Sequence, residues 1–100
     1  MKTLEFYQDE SGNPCARGSD QRLATYLETD IQGSTDIARE LIDALADRSF
    51  RGDITGNAHS VSIGEKTATI ESLYDEDMPA RRLRRSQFRD AIKRWLTFIS

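Results

Sequence analysis

The strongest pattern of apolar positions lies at the end of the chain. Apolar side chains recur there at i, i+3, i+4, i+7, i+8 and i+11, which is one face of an α-helix. The members of this face are Phe88, Ala91, Ile92, Trp95, Leu96 and Ile99. Ser86 is a suitable N-cap, so the pattern predicts a helix over residues 86–99. A face this apolar must pack against other elements, and we expect it to organise the core.

A second amphipathic helix is predicted over residues 34–48. Apolar residues follow Ser34 at helical spacing, and Ser34 itself is a good N-cap. Asp36 lies in the first turn, where the positive end of the helix dipole favours an acidic side chain. The polar positions of this segment should form the solvent-facing side of the helix.

Two interpretations compete for residues 20–32. Leu23, Leu27 and Ile31 have helical spacing, but the odd-numbered positions also alternate with charged ones, as in a strand. A cap at Ser19 or Asp20, and a glycine at 33 where a helix commonly ends, favour the helix.

Two β-hairpins are predicted from alternation of apolar and polar residues. In the first, a strand at 4–8 and a short return strand at 15–18 are joined by turn-forming residues. In the second, 59–63 and 67–74 alternate on either side of a tight turn. The glycine-containing stretch 49–57 is predicted as a loop. Residues 81–85 are predicted as a bridge to the last helix, in which only Leu83 reaches the core.

These elements predict an α+β fold in the order ββααββα. Residues 1–100 form a single domain, because a chain of 100 residues has the usual length of one. Its four short strands should make a mainly antiparallel sheet with one face that needs covering. The amphipathic helices 34–48 and 86–99 are the available covers.

The composition is that of a soluble globular protein, with 37% hydrophobic and 31% charged residues. No apolar run approaches the roughly 20 residues of a membrane span, and acids appear early instead of a signal-peptide core. Cys15 is the only cysteine, so an internal disulfide is impossible. We therefore expect a cytoplasmic protein.

The charge is unevenly distributed along the chain. Residues 1–79 hold 7 basic and 16 acidic side chains, a balance of −9, whereas residues 80–100 hold 7 basic and 1 acidic, a balance of +6. The two parts could neutralise each other within the fold, as charge runs commonly do. Alternatively, one of them forms an interface with a charged partner.

No pattern of residues predicts catalysis or a bound cofactor. His59 is the single histidine, and it shares a predicted strand face with Val61 and Ile63, which favours a structural role over that of a general base. Cys15 has no second cysteine at redox spacing. The chain lacks a glycine-rich phosphate loop and the ligand spacing of a zinc or calcium site. We therefore predict a non-enzymatic protein without cofactor or metal.

Two charged surfaces are candidates for a partner. Carboxylates at Glu28, Asp30, Asp75, Glu76 and Asp77 would suit a basic protein, which such an acidic surface would attract and steer. The alternative is a basic patch that would bind RNA phosphates, although the acidic remainder of the chain would repel them. That patch comprises Arg81, Arg82, Arg84, Arg85, Arg89 and Lys93. The sequence does not determine an oligomeric state.

Several short motifs resemble a known family. Glu5-Phe6-Tyr7-x-Asp9, Gly12-x-Pro14-x-Ala16-Arg17-x-Ser19, the Gly56-Asn57-Ala58-His59 entry to the second hairpin and the Trp95…Phe98-Ile99 ending are similar to the YacL-like proteins of bacteria. That family implies no activity and no site residues for this chain. This chain departs from the family pattern in two ways: it is shorter before the second hairpin, and its Arg81–Arg85 run is unusual.

By type, the small size and acidity also resemble immunity proteins of bacterial toxin systems, including contact-dependent inhibition. The leading hypothesis is therefore a non-enzymatic protein-binding module, most sharply an immunity protein that neutralises a basic nuclease toxin. The alternative is a small housekeeping protein that binds RNA through Arg81–Arg85.

Overall fold

The computed structural model describes residues 4–74, 77 and 79–100. Two strands are followed by a helical region, four strands and a closing helix. A π-helical turn, Leu27–Ile31, continues the first helix. The remaining elements are β1 (Glu5–Gln8), β2 (Pro14–Arg17), α1 (Gln21–Tyr26), α2 (Thr35–Ala46), β3 (Gly52–Thr55), β4 (His59–Ile63), β5 (Thr67–Ser72), β6 (Arg81–Arg84) and α3 (Arg85–Ile99).

Strands β3 to β6 form a four-stranded antiparallel sheet in chain order. Val61 stands at its centre, opposite Ile54 on one side and Ile70 on the other. Alternate residues of β4 are buried, whereas Ser62 is exposed, so one face of the sheet packs on the core and the other meets solvent. The predicted α+β fold with a four-stranded antiparallel sheet is confirmed.

The strands that build this sheet differ from those predicted. The sheet gains β3 from the predicted loop 49–57 and β6 from the predicted bridge 81–85. Both are four residues long, too short for a clear alternating pattern. In β6, Leu83 turns inward, whereas Arg82 turns outward. Because the strand lies at the edge of the sheet and most of its side chains are exposed arginines, its sequence looks like that of a charged linker.

The first hairpin does not join the large sheet but forms a two-stranded sheet of its own. Strand β2 packs on α1 and the π turn. The ring of Phe6 meets Trp95 edge to face, with centroids 5.0 Å apart. The hairpin therefore covers the helical side of the core.

Within residues 20–32, the helical elements run from residue 21 to residue 31, as favoured over the strand. Asp20 caps α1 by accepting a hydrogen bond from the Leu23 N–H. The segment then widens, because the Gln32 N–H donates to the Leu27 carbonyl five residues earlier. The residue that leaves the helix with a positive φ is Gln32, at 55°, and not the predicted glycine at 33. The Trp95 indole N–H binds the Gln32 carbonyl at 2.8 Å and holds this conformation.

Helices α2 and α3 pack on each other, and α3 packs on β5 and β6 of the sheet. The predicted cover by α2 is therefore indirect: α2 lies against α3 and the π turn, while α1 reaches β5. Ser34 caps α2 as predicted. Helix α3 begins one residue before the predicted start: its N-cap is Arg84, not Ser86, and the Gln87 side chain accepts the Arg84 N–H. The predicted apolar face of α3 is buried, with Phe88, Ile92 and Trp95 fully enclosed, so α3 forms the centre of a single core.

Candidate functional site

The most enclosed polar group in the described part of the chain is a pair formed by Asp30 and His59. The Asp30 carboxylate lies 2.9 Å from His59 Nδ1, and the two residues are only 5% and 3% exposed. The π turn places Asp30, and the start of β4 places His59. With Asp30 ionised, Nδ1 carries a proton and donates to the carboxylate.

The loop before β4 wraps around the same carboxylate. The backbone N–H groups of Ala58 and His59 both donate to Asp30, the latter at 3.1 Å. Gly56 approaches so closely that a Cβ there would stand 2.2 Å from Oδ2 of Asp30. The Asn57 side chain donates to the carbonyl of Thr29 in the π turn. The Gly56–His59 motif thus has a structural purpose, which is to surround one buried carboxylate with donors.

Two further side chains complete this environment. The Thr29 hydroxyl lies 2.7 Å from Asp30 and 3.4 Å from His59 Nδ1. The Tyr26 ring packs edge-on against the imidazole, at a centroid distance of 5.9 Å. Burial, followed by the charge of Asp30, raises the pKa of the Tyr26 hydroxyl, which keeps this phenol neutral. The group joins the π turn to the sheet, and its enclosed imidazole offers a substrate no open approach.

The predicted acidic surface is not assembled as expected. Asp30 is in the interior, and Glu28 is half-buried and accepts the Ala16 N–H at 2.9 Å. Of the remaining three, Asp77 is exposed, whereas Asp75 and Glu76 lie outside the described residues. Glu28 and Asp30 both already accept backbone N–H groups. Their carboxylates therefore stabilise the fold and are not available to a partner.

A different set of carboxylates forms a row on α2 and the residue after it. The members of this acidic row, all exposed, are Asp36, Glu40, Asp43 and Asp47. At 3.6 residues per turn, and with Asp47 treated as a continuation of the helix, the four side chains point within an arc of about 60° around the helix axis. No basic side chain among the described residues lies within 4 Å of Asp36, Glu40 or Asp43. At the end of the row, the Asp47 carboxylate accepts hydrogen bonds from the hydroxyl and the N–H of Ser49, which lower the pKa of this carboxyl.

The predicted basic run is divided by the fold. Arg81 is paired with Asp20 at 3.1 Å. Arg85 turns inward and is 9% exposed; its guanidinium donates to five backbone carbonyls. Arg82 and Arg84 are exposed, and Lys93 is exposed on α3, with Arg89 half-buried one turn earlier. The six positions therefore do not form one surface.

The carbonyls bound by Arg85 explain its burial. Three of them belong to Ala44, Leu45 and Asp47, at the end of α2, where helix carbonyls run short of N–H donors within the helix. The other two belong to Phe50 and to Gly64 in the β4–β5 turn. A cation is also favoured at the negative end of a helix dipole, so Arg85 closes α2 and fastens it to the sheet and α3.

An open cleft of about 700 Å³ lies where the end of α2, the β4–β5 turn and the start of α3 meet. Its charged side chains are Arg48, Arg51, Glu65, Lys66, Arg84 and Arg89, with Arg85 behind them. We refer to it as the basic cleft. Sequence reasoning identified Arg84, Arg85 and Arg89 but did not single out Arg48, Arg51 and Lys66. Arg48 and Arg51 lie in the loop after α2 and Lys66 lies in the β4–β5 turn, and no local pattern connects the two segments.

Two absences concern only the part of the chain that the structure describes. None of its helices combines the length and the apolar character that crossing a bilayer requires. No group of three or more His, Cys, Asp or Glu is placed there to hold a metal ion. Cys15 is partly buried; burial, with the charges of Asp9 and Glu28, raises the pKa of its thiol and keeps it protonated.

The fold and these surfaces define a small α+β protein with a buried Asp–His pair, an acidic helix face and a basic cleft. No known protein-family model matches the chain, and neither does a solved structure. Over 74 residues the chain is 28% identical to the Holliday junction branch migration complex subunit RuvB of Enterococcus faecalis (strain ATCC 700802 / V583). The matched stretch is 74% of this chain but 22% of that protein, so the chain spans about a fifth of the relative's length.

Proposed function

We propose that this protein is a non-enzymatic protein-binding module that docks on a basic surface of another protein. In its sharpest form, the proposal is an immunity protein that neutralises a basic nuclease toxin in the bacterial cytoplasm. The observation that carries it is the acidic row on α2, since the described residues hold no basic partner within 4 Å of its first three members.

A row of unpaired carboxylates is suited to such a partner for an electrostatic reason. Surface ion pairs within one protein contribute little to its stability, so the fold loses little by leaving Asp36, Glu40 and Asp43 without a basic side chain nearby. Their charges can then act on a partner protein. A nuclease must attract phosphates, and its active-site surface is therefore basic. Opposite charges on the two proteins accelerate their encounter and fix their orientation.

An apolar side chain beside the row adds a contact that charge alone would not supply. Ile37 is 40% exposed on the same helix and adjoins the arc that holds Asp36 and Glu40. Burying such a side chain at an interface contributes affinity, whereas exposed charges mainly affect the association rate. Helix α2 thus offers both components of a docking surface.

The match to RuvB does not support this proposal. It covers about a fifth of that protein at 28% identity, and its name refers to a subunit of a branch migration complex acting at Holliday junctions. RNA binding through Arg81–Arg85 as one continuous run is not proposed either, because the fold separates these residues. Arg81 is paired with Asp20, and Arg85 binds carbonyls inside the fold.

The test uses the product of a toxin gene located beside the gene for this protein. Binding of the two purified proteins is measured by calorimetry and by stopped-flow kinetics over a salt series. The test variant is Glu40→Lys/Asp43→Lys on α2. The control is Asp53→Lys/Glu71→Lys, which makes the same charge change at exposed positions of β3 and β5.

We expect the α2 variant to bind at least about tenfold more weakly, mainly through a slower association at low salt. The control variant should stay within about threefold of the wild type. Equal losses in both variants would show that only the net charge matters and that α2 is not the docking face. Absence of any binding or protection by the wild type would reject the immunity role.

A further inference from the structure

The basic cleft holds more positive charge than its own fold uses. In the part of the chain that the structure describes, Arg48, Arg51, Lys66, Arg84 and Arg89 line it, against one lining acid, Glu65. Arg51 also donates to the carbonyls of Arg48 and Phe50. Among the described residues, none of these cations has a carboxylate within 4 Å, apart from Arg89, which lies 3.9 Å from Asp90. Asp47 stands nearby: its carboxylate accepts both donors of Ser49, and its charge also acts on Arg85 and Arg51, so it offsets part of this positive charge.

The cations come from three elements that are far apart in the sequence. Arg48 and Arg51 follow the end of α2, Lys66 belongs to the β4–β5 turn, and Arg84 and Arg89 flank the start of α3. Like charges gathered in one cleft repel one another, and the carboxylates of Glu65, Asp47 and Asp90 offset only part of that repulsion. Such convergence, with more cations than neighbouring carboxylates, indicates an anionic ligand from outside.

Fixed dipoles add to the side-chain charges. The first turn of α3 opens at the cleft, where Ser86 is one of the lining residues. The positive end of a 15-residue helix favours an anion there. Behind it, Arg85 is held in place by its five carbonyl contacts, so its charge has a fixed position.

The lining also indicates which anion fits. Guanidinium groups bind phosphate through paired hydrogen bonds, and four arginines with one lysine exceed what a single phosphate can contact. Within the described part of the chain, no aromatic side chain lines the cleft, so bases find no stacking platform there. Its volume of about 700 Å³ lies in the range of ligand sites.

We propose that the basic cleft is a binding site for ligands carrying several phosphate groups, recognised through their phosphates. Two sources share this chemistry, namely a free phosphate chain and the backbone of a single-stranded RNA. The site is separate from the acidic row of α2, and the proposal does not depend on the identity of a protein partner.

The experiment measures binding of two probes to the full chain. One probe is inorganic tripolyphosphate, followed by calorimetry, and the other is a labelled single-stranded RNA of about 12 nucleotides, followed by fluorescence anisotropy over a salt series. The test variant is Arg48→Gln/Lys66→Gln. The matched control, Arg39→Gln/Lys93→Gln, removes the same charge from exposed positions of α2 and α3 outside the cleft. Circular dichroism melting verifies that both variants fold.

We expect the wild type to bind at least one probe and the cleft variant to bind it about tenfold more weakly, with the control nearly unchanged. For RNA, the slope of log affinity against log salt should also become shallower by about 0.7 for each phosphate that the variant no longer neutralises. Binding of tripolyphosphate alone would identify a phosphate-chain site, and binding of RNA alone a backbone site.

Two results would overturn the proposal. The first is no binding of either probe up to about 0.1 mM protein, the weak limit of non-specific nucleic-acid affinity. The second is an equal loss of affinity in the cleft and control variants, which would reveal attraction by net charge and no defined site.

Discussion

Asp30 and His59 are joined by a buried hydrogen bond of 2.9 Å between positions 29 residues apart in the sequence. The pair connects the π turn to β4 and is surrounded by donors from the loop that precedes the strand. Buried charges need such partners, because an ionised group without them is strongly disfavoured in the interior. The pair therefore determines how the helical region sits on the sheet.

Removing the imidazole should destabilise the protein strongly. In His59→Ala, the Asp30 carboxylate loses its side-chain partner while remaining buried, and we expect the free energy of unfolding to fall by about 3–5 kcal/mol. Urea unfolding of the single variants and of Asp30→Ala/His59→Ala measures the coupling between the two residues. The double variant should lose clearly less stability than the sum of the singles. Strictly additive losses would mean that the two side chains act independently.

A methyl group at position 56 should disturb the same site from the other side. The added Cβ in Gly56→Ala would stand 2.2 Å from Asp30 Oδ2, so the loop or the carboxylate must move. Thermal and urea unfolding should show a loss of about 1–3 kcal/mol. Gly33→Ala is the control, because a Cβ there meets nothing within 4 Å.

The penalty at position 56 should shrink in an Asp30→Ala background, where the contacted oxygen is absent. If Gly56→Ala remained as stable as the wild type, the loop would not be held against the carboxylate.

Replacing Arg85 should loosen the junction of α2, α3 and the sheet. Arg85→Gln removes the buried cation and cannot reach all five carbonyls, so several charge-assisted hydrogen bonds are lost and we expect a loss of about 3 kcal/mol or more in urea unfolding. Arg84→Gln removes the same charge from an exposed neighbour and should change stability by less than about 0.5 kcal/mol. Similar losses in both variants would refute a special role for the buried guanidinium.

Trp95 contributes both apolar burial and a hydrogen bond, and two substitutions separate them. Trp95→Ala should lower the free energy of unfolding by about 3–5 kcal/mol, enough to unfold most of a marginal domain. Trp95→Phe keeps a ring beside Phe6 but removes the donor to the Gln32 carbonyl, and about 1–3 kcal/mol should be lost.

Chemical denaturation of the two tryptophan variants, followed by circular dichroism, gives the comparison. A Trp95→Ala protein that melts within a few degrees of the wild type would show that α3 is peripheral to the core.

Helices were the most predictable part of the fold because their pattern is repeated over many residues. The apolar face around Phe88 and Trp95 continues for three turns, and the α2 segment is marked by a cap at Ser34 as well as by spacing. The π turn was not predictable from spacing, since Leu27 and Ile31 satisfy an α-helix equally well. Its widening depends on the Gln32–Leu27 hydrogen bond and on Trp95.

The short strands were less predictable, because the sheet and not the local sequence selects them. Strand β3 forms in a stretch with glycines at both ends, where Ile54 finds Val61 as its cross-strand partner. Strand β6 forms in an arginine run, where Leu83 pairs with Ala68. Four residues carry too little alternation to be recognised before a neighbouring strand is present.

The amino-acid sequence by itself determined the α+β class, the two long helices, the second hairpin and the apolar face that forms the core. Only the tertiary structure decided which charges are available to a partner. It placed Asp30 and Arg85 inside, where backbone donors and acceptors bind them, and it gathered Arg48, Lys66 and Arg89 into one cleft. The reason is physical: periodicity follows from local backbone geometry, whereas the environment of a charge depends on chain segments that meet only when the core closes.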